Sequence, residues 1–236
     1  MSITTVLFDL DGTLLPLEQD DFVKEYLHRL AVKMAPYGYD PKKLMEAIWR
    51  GTGAMVANDG SSTNEQVFWN EFCDIYGESA RKDEHIFEEF YRNEFQAIKD
   101  ICGFDVNAQK TVKYLKEKGI RVALATNPVF PAIATESRIA WAGLNVDDFE
   151  LYTTYENSVH CKPNPEYYKD ILTMLGASPE DTVMVGNDVD DDMSAESLGM
   201  KVFLLTDHLV NRKNVDISRY PNGGYDALLE YLNSVI

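Results

Sequence analysis

The sequence predicts an α/β fold: a doubly wound parallel sheet of the Rossmann-like kind, with a helical subdomain inserted into it. Short, β-branched or apolar runs recur at Thr4 to Phe8, Val122 to Ala125, Thr182 to Val185 and Val202 to Leu205, each beside a helical pattern. Alternation of short buried strands with helices specifies βαβ units and a parallel sheet. Residues 17 to 105 break that rhythm, because they hold four helical patterns and no convincing strand. The expected organisation is an α/β core of residues 1–16 and 106–236 and a helical subdomain of residues 17–105.

Taken in order, Thr4 to Phe8 reads as a buried strand that runs into the polar turn Asp9 to Thr13. Helices are expected near 19–35, 40–50, 63–76 and 84–98, with Thr63 and Gln66 forming a capping box at the start of the third. Phe68, Phe72 and Ile75 recur at helical spacing, as do Phe87, Phe90, Tyr91 and Phe95. Such stripes are expected to pack in a core rather than to stack on a ligand. The stretch Gly51 to Ser62 contains three glycines and Asn58-Asp59-Gly60, which predicts a flexible turn able to contact a ligand. Further on, Asn107 to Lys118 forms a helix closed by Gly119, and Asn164-Pro165 opens another through Tyr167, Tyr168, Ile171, Leu172 and Leu175. Ala195 to Leu198 runs into Gly199 as a last helical turn.

Composition narrows the function classes. With 45% apolar residues in 236, a long disordered chain is excluded. Thirty-nine Asp and Glu against 22 Lys and Arg give a net charge of −17, a field that repels nucleic acid and anionic membrane surfaces. The same field opposes a small anionic substrate, so a local cation has to overturn it. No apolar run approaches the roughly 18 residues that cross a bilayer, and no positively charged segment precedes the first apolar stretch, which predicts a cytoplasmic protein. Cys73, Cys102 and Cys161 are scattered, without a CxxC pair, and are expected to be reduced thiols. A monomer or homodimer is expected.

Four segments carry chemistry. Asp9-Leu10-Asp11-Gly12-Thr13 follows a buried strand, which places two carboxylates at the sheet's C-terminal edge, where open α/β sheets bind ligands. Gly12 permits a tight reversal there, and Asp9 and Asp11 can approach one reacting centre from different directions. Thr126, in Ala125-Thr126-Asn127-Pro128 at the next strand end, offers a hydroxyl to a phosphoryl oxygen, with Asn127 beside it. Lys162 lies between His160-Cys161 and Pro163, where proline stiffens the backbone and fixes the direction of its ammonium. A cation there would lower the pKa of Asp9 and neutralise part of a bound phosphate. Finally Gly186-Asn187-Asp188-Val189-Asp190-Asp191-Asp192 places four carboxylates within five residues, an oxygen-rich set that suits Mg²⁺. Asp190 and Asp192 are expected to serve only as acids favourable to a helix N-terminus.

These motifs, in this order, resemble the haloacid dehalogenase-like hydrolase superfamily, in members that carry a mobile helical cap between the first and second motifs. The resemblance implies a two-step phosphoryl transfer on a small phosphorylated substrate. Asp9 would be the nucleophile, Asp11 the acid and base, and Thr126 with Asn127 the phosphoryl holder. Lys162 would pair with Asp9 and the phosphate. Mg²⁺ would be held by Asp9, the Asp11 carbonyl and the fourth motif. Family members usually carry Asp where this chain has Asn187, a weaker candidate metal ligand as a neutral amide; Asp188 is expected as the direct ligand, with Asp191 reaching the ion through water, and the choice between Asn187 and Asp188 stays open. Asp11 favours phosphate esters over haloacids, because a departing halide needs no proton; a phosphomutase of the β-phosphoglucomutase type, and a non-catalytic binding protein, stay open. The helical subdomain is acidic as well, and Arg50 is the candidate for a substrate contact from that side.

Overall fold

The computed structural model describes residues 2–236. The first strand, β1 (Thr5–Phe8), is followed by helices α1 (Gln19–Met34), α2 (Pro41–Val56), α3 (Asn64–Tyr76) and α4 (Glu84–Arg92) and a 3-10 segment Glu94–Ile101. The chain then forms α5 (Val106–Glu117), β2 (Arg121–Leu124), α6 (Ala132–Trp141), α7 (Pro165–Leu175), β3 (Thr182–Gly186), β4 (Lys201–Leu205), β5 (Asn222–Gly223) and α8 (Tyr225–Val235). The strands make one all-parallel sheet in the order β2-β1-β3-β4-β5.

Register brings the functional strand ends level. Phe8 lies opposite both Leu124 and Val185, so Asp9, Ala125 and Gly186 leave the sheet side by side. The chain crosses from β2 on one side of β1 to β3 on the other, which opens a crevice at that edge. Alternate strand residues face opposite sides and both sides are buried. Val6, Phe8, Val183 and Val185 pack with α5, α6, α8 and the helical insertion, whereas Leu7, Met184 and Leu204 pack with α7. Each such fully buried aliphatic or aromatic side chain contributes about 1.5–3 kcal/mol by leaving water.

The insertion is built on aromatic packing. Phe72, Phe90 and Phe95 are fully buried, and Phe95 stacks on Trp141 of α6 at 5.1 Å between ring centroids, which ties the insertion to the core. The capping box of Thr63 and Gln66 forms as expected. A second tie is polar: buried Asn64 donates to the carbonyls of Pro128 (3.2 Å) and His160 (3.4 Å), and its backbone N–H donates to Ser158 O (2.9 Å). At the other end of the insertion, Gly103 N–H donates to Pro16 O at 2.7 Å and joins its two connections.

Two local expectations change. Gly51 to Ser62 is not one flexible turn, because α2 continues to Val56 and only the remainder is a loop. Gly51 sits where that helix presses on α3; a Cβ there would lie 2.5 Å from the Phe68 ring, so glycine serves close packing rather than flexibility. The expected helix 84–98 breaks at Asn93, whose dihedrals (φ −117, ψ −81) leave the helical region and whose side chain donates to Glu89 O at 2.9 Å. The 3-10 segment resumes after it.

Gly53, two residues beyond Gly51 in the same helix, has nothing within 4 Å of an added Cβ. Gly53→Ala should therefore stabilise the protein by about 0.5–1 kcal/mol through helix propensity. Gly51→Ala gains the same propensity but overpacks Phe68, a cost of about 1–3 kcal/mol, and should be destabilising on balance. Urea unfolding of the two variants checks this, and equal effects would contradict the packing role.

Candidate active site

Lys162 organises the crevice. It follows buried Cys161, and its side chain is 1% exposed, with its ammonium donating to Asp9 Oδ1 at 2.8 Å and to Asp192 Oδ1 at 2.6 Å. The Asn164 side chain, two residues on, caps α7 by accepting from Glu166 N–H at 3.0 Å, which fixes the exit of the Lys162 loop. Asp192 is thus a partner of the lysine and not simply an acid at a helix N-terminus. Its other oxygen accepts the Asp188 N–H at 2.9 Å. That position requires Gly186, since a Cβ there would lie 2.1 Å from Asp192 Oδ2. Asp190, in contrast, points to Lys213 at 2.9 Å on the surface, as an acid of local electrostatic use only.

The pKa directions follow from burial against charge. Burial pushes the Asp9 carboxyl above its usual value, and the Lys162 ammonium draws it back only in part. Lys162 thus lowers the Asp9 carboxyl as expected, but desolvation outweighs the pair and the net direction is upward. Lys162 is held well above its usual value: burial acts against its charge, and Asp192 and Asp9 prevail. Asp192 is raised to about 6 by burial, with Lys162 opposing.

Asp11 has a partner the sequence reasoning did not find. Arg138 on α6, itself 1% exposed, donates from Nη1 to Asp11 Oδ2. Its guanidinium carbon lies 4.6 Å from the centroid of Phe130 and 5.8 Å from that of Phe22 on α1. Burial raises the Asp11 carboxyl and Arg138 restrains the rise, while Asp11 Oδ1 stays buried without a partner. The signal was present: Ala134, Arg138 and Trp141 recur at helical spacing, which puts a lone arginine on the apolar face of its helix.

Asp9, Asp11, Thr126, Asn127, Lys162, Asn187, Asp188 and Asp191 all line one pocket of about 160 Å³. Gly12 holds the first motif in a left-handed turn (φ +82) against Asn187, whose Nδ2 would lie 2.2 Å from any Cβ. Asn187 donates to His208 O at 2.6 Å and accepts from Thr13 Oγ1 at 3.2 Å, so it serves as a brace between loops. The Thr126 carbonyl is held by Tyr167 (2.8 Å) and Thr153 (2.6 Å), which fixes the second motif at the pocket wall. Asn127 keeps a buried amide oxygen without a partner. Asp188 accepts from Arg212 at 2.8 Å, and Tyr168 holds the Asp191 carbonyl at 2.9 Å. Arg50 is not brought to the site. It lies within α2, half exposed, paired with Glu71 at 2.6 Å, and lines neither this pocket nor the chamber beside it, because the helix continues past it and aims it at α3.

The pocket's chemistry fits Mg²⁺. Among the described residues no group of three or more His, Cys, Asp or Glu side chains is gathered closely enough to hold a metal alone. Mg²⁺ asks for less, one or two carboxylates with water completing its shell. Asp191 is raised to about 6 by burial and by the neighbouring Asp188 charge, a repulsion that a divalent cation would relieve.

The family model described as haloacid dehalogenase-like hydrolase matches residues 3–199. A Bacillus cereus protein named pyrophosphatase PpaX is 25% identical over 202 residues, covering 85% of this chain and 82% of its own length. Among solved structures, a phosphatase of this superfamily from Thermococcus onnurineus aligns with a TM-score of 0.60 at 19% identity, over 98% of each chain. The Bacillus subtilis hydrolase YfnB, solved bound to magnesium, aligns at 0.57 and 18% identity, over 99% of this chain and 100% of its own. The family model spans the whole first, second, third and fourth motifs together with the insertion, and the chain belongs to the haloacid dehalogenase-like hydrolase family.

Proposed function

We propose that the protein is a Mg²⁺-dependent phosphomonoester hydrolase that acts on a small phosphorylated metabolite through an aspartyl phosphate on Asp9. The observation that carries this is the Lys162 ammonium clasped by Asp9 and Asp192 at the edge where Asp11 and Thr126 also emerge. A buried cation beside one carboxylate, with a second carboxyl two residues away, suits nucleophilic attack followed by hydrolysis.

Asp9 attacks phosphorus as the bond to the leaving oxygen breaks, and Asp11 gives that oxygen its proton. Asp11, then ionised, takes a proton from the water that attacks phosphorus, and the bond to Asp9 breaks to release inorganic phosphate. Arg138 holds Asp11 in place and opposes the rise that burial gives its carboxyl. Thr126, Asn127 and Lys162 hold the phosphoryl oxygens. Asp9, the Asp11 carbonyl, Asp188 and Asp191 would hold Mg²⁺, with Asn187 bracing them. Once bound, the ion supplies positive charge to the transferring phosphoryl group.

The helical insertion, residues 17–105, acts as a cap that excludes bulk water from the core of residues 1–16 and 106–236. The net charge of −17 makes nucleic acid and anionic membranes poor partners. No helix among the described residues is long and apolar enough to cross a membrane, and the three free cysteines suit a reducing cytoplasm.

Four outcomes are expected. With p-nitrophenyl phosphate, turnover should need Mg²⁺, vanish with EDTA and fall about 10³-fold or more in Asp9→Asn; metal-independent turnover, or an active Asp9→Asn, would sink the assignment. Inorganic phosphate should appear at the main turnover rate, whereas a mutase would retain phosphate on its product. Mg²⁺ affinity should fall below about pH 6, because Asp191 is raised to about 6 and is protonated on the acid side; calorimetry should find binding near pH 5 weaker than at pH 7 by about tenfold. Removing the Asp11 partner with Arg138→Met should destabilise the fold by about 3 kcal/mol, since it leaves a carboxyl desolvated and unpaired, and unchanged urea unfolding would contradict that pairing.

A further inference from the structure

The pocket around Asp9, at about 160 Å³, is smaller than the roughly 300–1,000 Å³ of ordinary small-molecule sites. It has room for a phosphoryl group and its ion, and the body of a substrate has to sit elsewhere. A second chamber of about 610 Å³ adjoins it between the helical insertion and the core. The two share Gln19, Val23, Asn127, Val129 and Phe130 as lining, so a phosphate ester bound at Asp9 would direct its alcohol into the chamber.

The chamber is walled by aromatic rings, among them Tyr26, Phe68, Trp69, Phe87, Phe130 and Tyr155. Several of its polar groups are already committed: the Tyr26 and Tyr91 hydroxyls bond each other at 3.0 Å, and Thr52 donates to Ile48 O at 2.9 Å. Its charged residues, Asp20, Lys24 and Arg212, are all exposed at the rim. Arg212 is further committed to Asp188 (2.8 Å) and Gln19 (2.7 Å). A second phosphoryl or carboxylate group in the chamber would lose water among rings that carry no charge, with the Lys24 ammonium out at the exposed rim. Trp49 and Val56 line it while staying 55% and 45% exposed, apolar surface that an apolar ligand would cover.

From this we infer that the leaving group is an alcohol with an uncharged apolar body, with an aromatic ring the best fit, and not a second phosphate. The inference rests on the phosphatase assignment and names the substrate class of that same site. It predicts that inorganic pyrophosphate, suggested by the name of the Bacillus cereus relative, is a poor substrate for this chain.

The test compares 2-phenylethyl phosphate, ethyl phosphate and pyrophosphate with the full chain and Mg²⁺, the two esters having leaving alcohols of similar acidity. Phenylethyl phosphate should exceed ethyl phosphate in kcat/KM by at least about tenfold, mainly through KM, because the ring is bound and not part of the reaction. Trp49→Ala, an exposed truncation that leaves the core intact, should lower the phenylethyl-to-ethyl ratio about threefold or more. Equal values for the two esters, pyrophosphate turnover above that of phenylethyl phosphate, or an unchanged ratio in Trp49→Ala would overturn the inference while the phosphatase assignment stands. Hydrolysis of none of these, nor of p-nitrophenyl phosphate, would overturn the assignment itself.

Discussion

A single ammonium group, removed from water and shared by two carboxylates, sets the geometry on which the site depends. A buried lysine without a counter-charge is costly enough to lose its proton, and removing either carboxylate would leave charge uncompensated in the crevice. Asp9 and Asp192 approach from the ends of two adjacent strands, so the ion pairs fix the distance between the first and fourth motifs as well as stabilising Lys162. The rest of the local sequence accommodates that clasp. Gly186 has no side chain where Asp192 passes, and Asn164 turns the chain into α7 directly after the lysine loop. Tyr168 on that helix anchors the acidic loop through the Asp191 carbonyl.

One cation against two carboxylates leaves the pocket negative, and Asp188 and Asp191 add to that. For a chain of net charge −17, holding a phosphate ester there is an electrostatic problem that Lys162 alone does not solve. Arg138 is spent on Asp11 and Arg212 on Asp188. Every cation lining or touching the pocket is therefore already paired, which is the physical reason a divalent ion belongs in the account.

Much of this was legible in the sequence because strand-end motifs are local. Asp9 to Thr13, Thr126 and Gly186 to Asp191 each follow a short apolar strand, and a parallel sheet brings its C-terminal ends together whatever the intervening chain does. What was not legible depends on tertiary approach. Asp192 and Asp190 look alike in a run of acids, and only the direction in which the loop turns separates a lysine ligand from a surface charge. Arg50 looked suited to the site because glycines follow it, yet those glycines lie in or beyond a continuing helix that packs against Phe68. The fifth strand is two residues, Asn222 and Gly223, too short for any periodicity to reveal.

Arg138 joins the two halves of the molecule. One side of its guanidinium meets Asp11 on the core, and its faces meet Phe130 on the core and Phe22 on the insertion. The strength of the Arg138–Asp11 pair depends on the exclusion of water, because an ion pair strengthens as the surrounding dielectric falls. Phe22 supplies part of that exclusion and also lines the pocket around Asp9. Displacing α1 from the core would admit water to the guanidinium and weaken the pair. Seating of the insertion and the environment of the Asp11 carboxyl are thus linked by one stacked arginine.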